Sequence, residues 1–251
     1  MNFIIVMLLP TKIKNDRLIL SKDLIFSLAE RKIKELKPYL YERSSVKKGQ
    51  EDKTAYLMYR NCCYKKHENL FITNNLRYDV TLIYPLIFNK EFNKTLGHWH
   101  KTPEIYEVLS GKALFLLQGP KNSAKEIYFQ IVQKNSKIII PPFYNHLIIN
   151  LSNNKPLIVA DIFSNQVKSH YSYFKQKHGA AYYILNSKLK NQKSKLQFKI
   201  QNLNVFAIKN LNYKKVSNLK KFKNPEIISS FKKPLYLEFI ENPKKFNFLI
   251  N

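Results

Sequence analysis

The stretch that decides the fold reads Gly97-His-Trp-His-Lys-Thr-Pro-Glu-Ile-Tyr-Glu-Val-Leu-Ser-Gly111. Side chains two residues apart on a strand point to the same face, so His98 and His100 can present two imidazoles to one point. Glu104 follows after a short break and opens the next strand-like run. The stretch therefore predicts a cluster of metal-ligand side chains at the start of a β-strand.

A second segment, Pro141-Pro-Phe-Tyr-Asn-His146, supplies a third imidazole. Three neutral imidazoles and one carboxylate suit a divalent ion such as Fe²⁺, Mn²⁺, Zn²⁺ or Ni²⁺. Four protein ligands on an octahedral ion leave positions open for substrate oxygens, which supports Lewis-acid chemistry on a hydroxyl or carbonyl. A lone His-x-His pair is common by chance, whereas its continuation into Glu104, Gly111 and His146 is not.

The two segments resemble the two signature motifs of the cupin superfamily, whose members are jelly-roll barrels with a metal inside the barrel. Two glycines that are usual in the second motif are replaced here by Asn135 and Phe143. Asn tolerates the left-handed backbone conformation, but Phe does so less readily, so we expect the turn before His146 to be remodelled. The fold class implied is all-β, and a fold by itself does not specify a reaction.

The flanking residues carry a narrower resemblance. The runs Leu76-Arg-Tyr-Asp-Val-Thr81 and Lys94-Thr-Leu-Gly97, together with the metal segment, look like the cupin-type glucose-6-phosphate isomerases. The resemblance extends from about Asn69 to Phe163 and more weakly outwards. The resemblance implies a metal-dependent aldose–ketose isomerase that interconverts glucose 6-phosphate and fructose 6-phosphate in glycolysis and gluconeogenesis. It favours Fe²⁺ as the ion and a homodimer as the assembly.

Carried over by position, the resemblance assigns roles to individual residues. It implies metal ligation by His98, His100, Glu104 and His146, catalysis by Glu104, and substrate contacts by Thr81, Thr95, Gly97, Tyr106 and His170. From the residues alone, the two threonines could equally be ordinary strand residues and Tyr106 could be core. Phe163 stands where the family often has Tyr, and His170 matches only with a shift of about one position, so it could instead be a surface histidine.

Composition along the chain suggests three parts: an extension over residues 1–53, a cupin domain over 54–187 and a basic extension over 188–251. Ser21 as N-cap, apolar residues at helical spacing and Pro38 predict a helix over Lys22–Lys37. The middle part reads as short strands separated by polar turns, which is typical of a sandwich or barrel. The predicted strands are Ala55–Tyr59, Val80–Phe88, Ile105–Leu117, Ile127–Val132, Ile138–Ile140, Leu147–Leu151 and Leu157–Phe163.

The net charge of +26 raises nucleic acid as a partner, but only five of the 43 basic residues are Arg. Proteins that recognise bases or phosphates use the two-pronged hydrogen bonds of the Arg guanidinium, which Lys cannot form. Abundant Lys, Asn and Ile instead indicate a coding bias, so nucleic-acid binding is not expected. The basic extension also keeps apolar runs, which favours its packing partly on the barrel over a disordered tail.

The remaining expectations concern the cellular compartment and the alternative functions. Cys62 and Cys63 are adjacent and cannot readily pair, and the apolar run Phe3–Leu9 is too short for a membrane span and lacks signal-peptide flanks, so a cytoplasmic protein is expected. Two alternatives stay open. One is a non-catalytic cupin that binds a sugar, a nucleotide or another ligand, and the other is an Fe-dependent cupin dioxygenase. The phosphate-binding positions Thr81 and Thr95 favour the isomerase.

Overall fold

A computed structural model describes residues 12–120, 124–186, 197–199 and 205–250. The run Phe3–Leu9 and parts of the basic extension lie outside these ranges. The strands are β1 (Ile13–Lys14), β2 (Arg17–Leu18), β3 (Leu24–Lys32), β4 (Thr54–Tyr64), β5 (Leu76–Ile83), β6 (Ile87–Phe88), β7 (Glu91–Phe92), β8 (Glu104–Ser110), β9 (Lys112–Gln118), β10 (Ile127–Gln133), β11 (Lys137–Ile140), β12 (Asn145–Asn150), β13 (Leu157–Ser164), β14 (Tyr182–Asn186), β15 (Gln197–Lys199), β16 (Val205–Lys209) and β17 (Lys220–Lys221).

The helices are few and short: α1 (Ile33–Leu36), α2 (Glu68–Thr73), α3 (Ser172–Gln176) and α4 (Leu235–Glu241). Single 3₁₀ turns cover Lys37–Tyr39, Arg43–Ser45, Lys65–His67, Glu226–Ser230 and Pro243–Leu249. In the described ranges, none of these helices has the length and apolarity needed to cross a membrane.

Two sheets enclose the main core. One has the order β11-β8-β13-β5-β4-β3 and the other the order β12-β9-β10-β17. Consecutive strands β8 and β9 belong to different sheets, and Gly111 between them has a φ of +92°, which lets the chain turn from one sheet into the other. The core cluster takes side chains from both sheets. The prediction of an all-β jelly roll is confirmed.

Alternation along β5 separates an inner from an outer face of the six-stranded sheet. On β5, Tyr78 and Val80 belong to the outer apolar cluster, whereas Ile83 belongs to the core between the sheets. Because side chains alternate, Asp79 and Thr81 share the inner face with Ile83. Asp79 and Thr81 thus point into the core between the two sheets.

The helix predicted over Lys22–Lys37 is wrong for most of its length. Leu24–Lys32 forms the edge strand β3, paired antiparallel with β4, and only Ile33–Leu36 is helical before the 3₁₀ turn that contains Pro38. Apolar residues at helical spacing do occur here, but the same stretch also alternates as a strand. The open edge of β4 supplies backbone partners that an isolated helix lacks, and tertiary pairing overrides the local preference.

The C-terminal residues cover the outer face of the six-stranded sheet. Leu235 and Phe239 of α4, with Phe246 of the following turn, are fully buried in the outer cluster. Glu107 points outward from β8, and its Oε2 accepts a hydrogen bond from the Leu235 backbone N–H at 2.8 Å. Lys137 Nζ lies 3.3 Å from the other carboxylate oxygen, so this buried charge is paired.

Candidate active site

Pairing with β12 places the segment from Asn93 to His98. The Thr95 N–H donates to the Ile148 carbonyl at 2.9 Å, and His98 and His146 exchange backbone hydrogen bonds at 3.1 and 2.9 Å. The two histidines therefore lie directly opposite each other, although far apart in sequence. Glu104 opens β8 between Ile140 of β11 and Phe163 of β13, so its carboxylate enters the barrel from the opposite sheet.

The four predicted ligands converge. His98 Nε2 lies 2.9 Å from His100 Nε2, and Glu104 Oε2 lies 3.1 Å from His146 Nε2 and 3.6 Å from His100 Nε2. Ligands about 2.1 Å from a shared ion and at right angles to each other are separated by about 3 Å. The observed spacing matches that geometry, and His98, His100 and Glu104 form a group that could hold a metal ion.

The electrostatics of the cluster also suit a divalent cation. Burial, together with the neighbouring imidazoles, lowers the pKa of His98 well below its usual value, and burial lowers that of His100. Burial opposes ionisation of Glu104, but His100 and His146 hold the pKa of its carboxyl below the usual range. Neutral imidazoles with lone pairs and one ionised carboxylate are the donor set that a borderline metal ion prefers.

Tyr106 lines the cluster, as expected for a residue two positions along β8 from Glu104. Its hydroxyl lies 3.3 Å from His146 Nε2 and it is buried. Burial and then the Glu104 charge raise the pKa of Tyr106 well above its usual value, so the phenol stays protonated. A neutral hydroxyl at this position can donate a hydrogen bond to an oxygen inside the barrel.

An aromatic stack supports His100 from behind. The Phe163 ring lies 5.0 Å from the His100 ring at an interplanar angle of 25°, and the Arg77 guanidinium lies 4.6 Å from the centre of the Phe163 ring. Arg77 is also paired with Asp79. This packing limits rotation of the His100 imidazole.

Gly97 has a structural reason to be glycine. Its φ is +78°, and a Cβ at this position would lie 2.6 Å from two Phe174 ring atoms and 3.0 Å from the His146 carbonyl oxygen. The close approach of Phe174 to the backbone leaves no room for a side chain. Gly97 therefore sets the spacing between His98 and β12.

The predicted substrate residues fall in different places. Thr81 is buried on the inner face of β5, and the Thr95 Oγ1 accepts a hydrogen bond from the Ile148 N–H at 3.0 Å. His170 stacks on Trp99 at 4.1 Å, and Trp99 alternates with the ligands and so points away from them. Tyr171 rather than His170 lies beside the cluster, with its ring 5.4 Å from that of His98.

The turn before His146 is not remodelled, contrary to expectation. Asn135 and Phe143 both adopt left-handed conformations with φ of 66°. The Phe143 N–H donates to the His100 carbonyl at 2.7 Å, and its ring lies 5.9 Å from Trp99. These contacts hold a phenylalanine in the conformation that glycine would adopt freely.

Sequence reasoning missed part of the inner wall. Arg60, Asp79 and Asp161 also face the barrel, and Asp79 and Asp161 lie directly opposite each other on β5 and β13. Burial, followed by the charges of Glu104 and Asp79, raises the pKa of Asp161 well above its usual value. The signal was present, because Asp79 and Thr81 share one alternation phase, but only the register between strands shows which residues meet.

Comparisons of the sequence with known proteins point to one family. A sequence model of the family described as Glucose-6-phosphate isomerase (GPI) matches residues 30–199. The glucose-6-phosphate isomerase of Thermococcus kodakarensis is 28% identical over 151 residues, which cover 59% of this chain and 75% of that protein. That of Pyrococcus abyssi is 29% identical over 140 residues, which cover 53% and 68%.

Solved structures resemble the chain more distantly. An oxalate oxidase in complex with the substrate analogue glycolate has a TM-score of 0.33 and 18% identity, and the match covers 39% of this chain and 47% of that one. The oxalate decarboxylase of Lactobacillus farciminis in a formate complex has a TM-score of 0.35 and 19% identity, with 46% and 30% covered.

Proposed function

The chain belongs to the glucose-6-phosphate isomerase family, and from that premise we propose that it is a metal-dependent isomerase interconverting glucose 6-phosphate and fructose 6-phosphate. The observation that carries the proposal is the convergence of His98, His100, Glu104 and His146 inside a barrel that the family's sequence model spans. Resemblance further supports Fe²⁺, a homodimer, and a cytoplasmic role in glycolysis and gluconeogenesis.

In this proposal the three imidazoles and the carboxylate hold the ion. A bound divalent ion supplies a Lewis acid that stabilises negative charge on the C1 and C2 oxygens of the sugar. Tyr106 is placed to donate a hydrogen bond to one of those oxygens. Phe163 keeps the His100 ring in its plane, and the buried walls exclude water from the reacting carbons.

Glu104 is the group proposed to move the proton between C1 and C2. Its carboxyl is held ionised by His100 and His146, which is the form that accepts a proton, while the lowered pKa makes it a weaker base. In the alternative route Glu104 serves only as a ligand while hydride shifts directly between the carbons. Thr81 and Thr95 are proposed to anchor the phosphate at the far end of the chain, which would fix the reacting carbons at the ion.

A coupled assay with purified, metal-loaded protein tests the function. We expect isomerisation of fructose 6-phosphate, hardly any turnover of unphosphorylated fructose, loss of activity with a chelator and recovery on adding Fe²⁺ or Mn²⁺. Glu104→Gln should lower kcat by about 10²-fold or more if the carboxylate moves the proton. Folded, metal-loaded protein that isomerises neither hexose phosphate would rule the isomerase out and leave only the metal site.

A further inference from the structure

Arg60 stands on the inner wall, on β4, a strand that contributes none of the four metal ligands. Its neighbour Tyr59 belongs to the outer cluster, whereas Met58 packs on the inner core, so alternation turns Arg60 inward. Met58 is the register partner of Thr81 on β5. Arg60 therefore lies two residues along β4 from Met58, which is opposite Thr81, and on the same inner face.

The guanidinium of Arg60 lacks an anionic partner. Among the described residues it forms no ion pair; Nη2 contacts only the Met58 sulfur, at 3.5 Å, and the buried Nε has no hydrogen-bond partner. The nearby carboxylate of Asp79 is already engaged, since one oxygen pairs with Arg77 and the other accepts from the Asn61 N–H at 2.9 Å. Leaving such donors unpaired on a half-buried wall is unfavourable unless an anion completes them.

The inner wall carries Arg60 on a strand that holds none of the four metal ligands. Glu104 lies on β8, its carboxylate 3.1 Å from the His146 imidazole, and its negative charge would repel a phosphate placed beside it. Arg60 lies on β4, three strand spacings from β8, or roughly 14 Å along the sheet. An extended hexose phosphate and an arginine side chain reaching inward together bridge that span, so the phosphate can lie at Arg60 while the reacting carbons lie at the metal ligands.

The three positions that the family resemblance gives to the phosphate supply no positive charge, whereas Arg60 does. Thr95 Oγ1 accepts the Ile148 N–H and keeps its own O–H to donate, but it carries no charge, and Gly97 is enclosed by Phe174. Thr81 offers a hydroxyl but no charge. We propose that Arg60, beside Thr81, binds the phosphate of the sugar phosphate, and this assignment rests on the isomerase function proposed above.

The test compares Arg60→Gln and Arg60→Lys in the full-length, metal-loaded protein. Arg60→Gln should raise the KM for fructose 6-phosphate by about 10- to 100-fold, because a charge-assisted contact is lost, while kcat stays within about threefold. Arg60→Lys keeps the charge but not the fork and should give an intermediate KM. Arg17→Gln is the matched control, since it removes the same charge from an exposed surface position and should change neither constant.

Calorimetry with inorganic phosphate tests phosphate binding by Arg60 independently of isomerase activity. The affinity of chelator-treated wild-type protein for phosphate should fall by a similar factor in Arg60→Gln and not in Arg17→Gln. If the protein isomerises nothing, the calorimetry still decides the role of Arg60. Unchanged phosphate affinity and unchanged KM in Arg60→Gln would overturn the proposal. If thermal melting shows that Arg60→Gln is unfolded, the phosphate affinities of Arg60→Lys and Thr81→Val test the proposal instead. Wild-type affinity in both variants overturns the proposal, and weakened affinity supports it.

Discussion

Replacement of Gly97 by Ala tests how the metal ligands are spaced. The residue has a left-handed backbone with φ of +78°, which costs an L-residue about 1–2 kcal/mol. The added Cβ would meet the Phe174 ring at 2.6 Å and the His146 carbonyl at 3.0 Å, and overpacking of this kind costs about 1–3 kcal/mol. Together the two effects should lower the free energy of unfolding by about 2–5 kcal/mol.

Gly49→Ala provides the matched control. Its φ is +83°, but nothing lies within 4 Å of the Cβ that would be added, so only the backbone cost applies. Equilibrium urea unfolding of both variants isolates the steric part as the difference between them. Because the clash bears on the His146 carbonyl, Gly97→Ala should also weaken metal binding, whereas Gly49→Ala should not. Equal loss of stability in the two variants would refute the reasoning from packing.

Three further outcomes are expected. His146→Ala should sharply lower the metal content measured by elemental analysis, since it removes one of three converging imidazoles, and full occupancy would contradict the ligand assignment. Lys94→Met should lower the free energy of unfolding by about 3–5 kcal/mol, because it leaves the buried charge of Glu91 without its partner. Adding Glu91→Gln should recover much of that loss. Binding of DNA should be weak, non-specific and lost steeply with salt in a mobility-shift assay, because residues 187–251 contain no Arg; tight, sequence-dependent binding would argue for a regulatory role instead.

Local pattern explains where the sequence-based predictions hold and where they fail. The ligand segment from His98 to Glu104 was readable because each donor follows from spacing along one or two strands. The helix predicted over Lys22–Lys37 failed because Leu24–Lys32 satisfies both periodicities, and the edge of β4 selected the strand. The expected remodelling at Phe143 failed because contacts with His100 and Trp99 offset the backbone cost.

The sequence by itself determined the donor set, the all-β class and the resemblance to an isomerase family, because these depend on residue types at short spacing. Only the tertiary structure decided which distant residues meet. Pairing between the Asn93–His98 segment and β12 sets His98 against His146, and the register of β4, β5 and β13 turns Arg60 and Asp161 into the barrel. A shift of one residue in that register would reverse each side chain, and no local pattern fixes it.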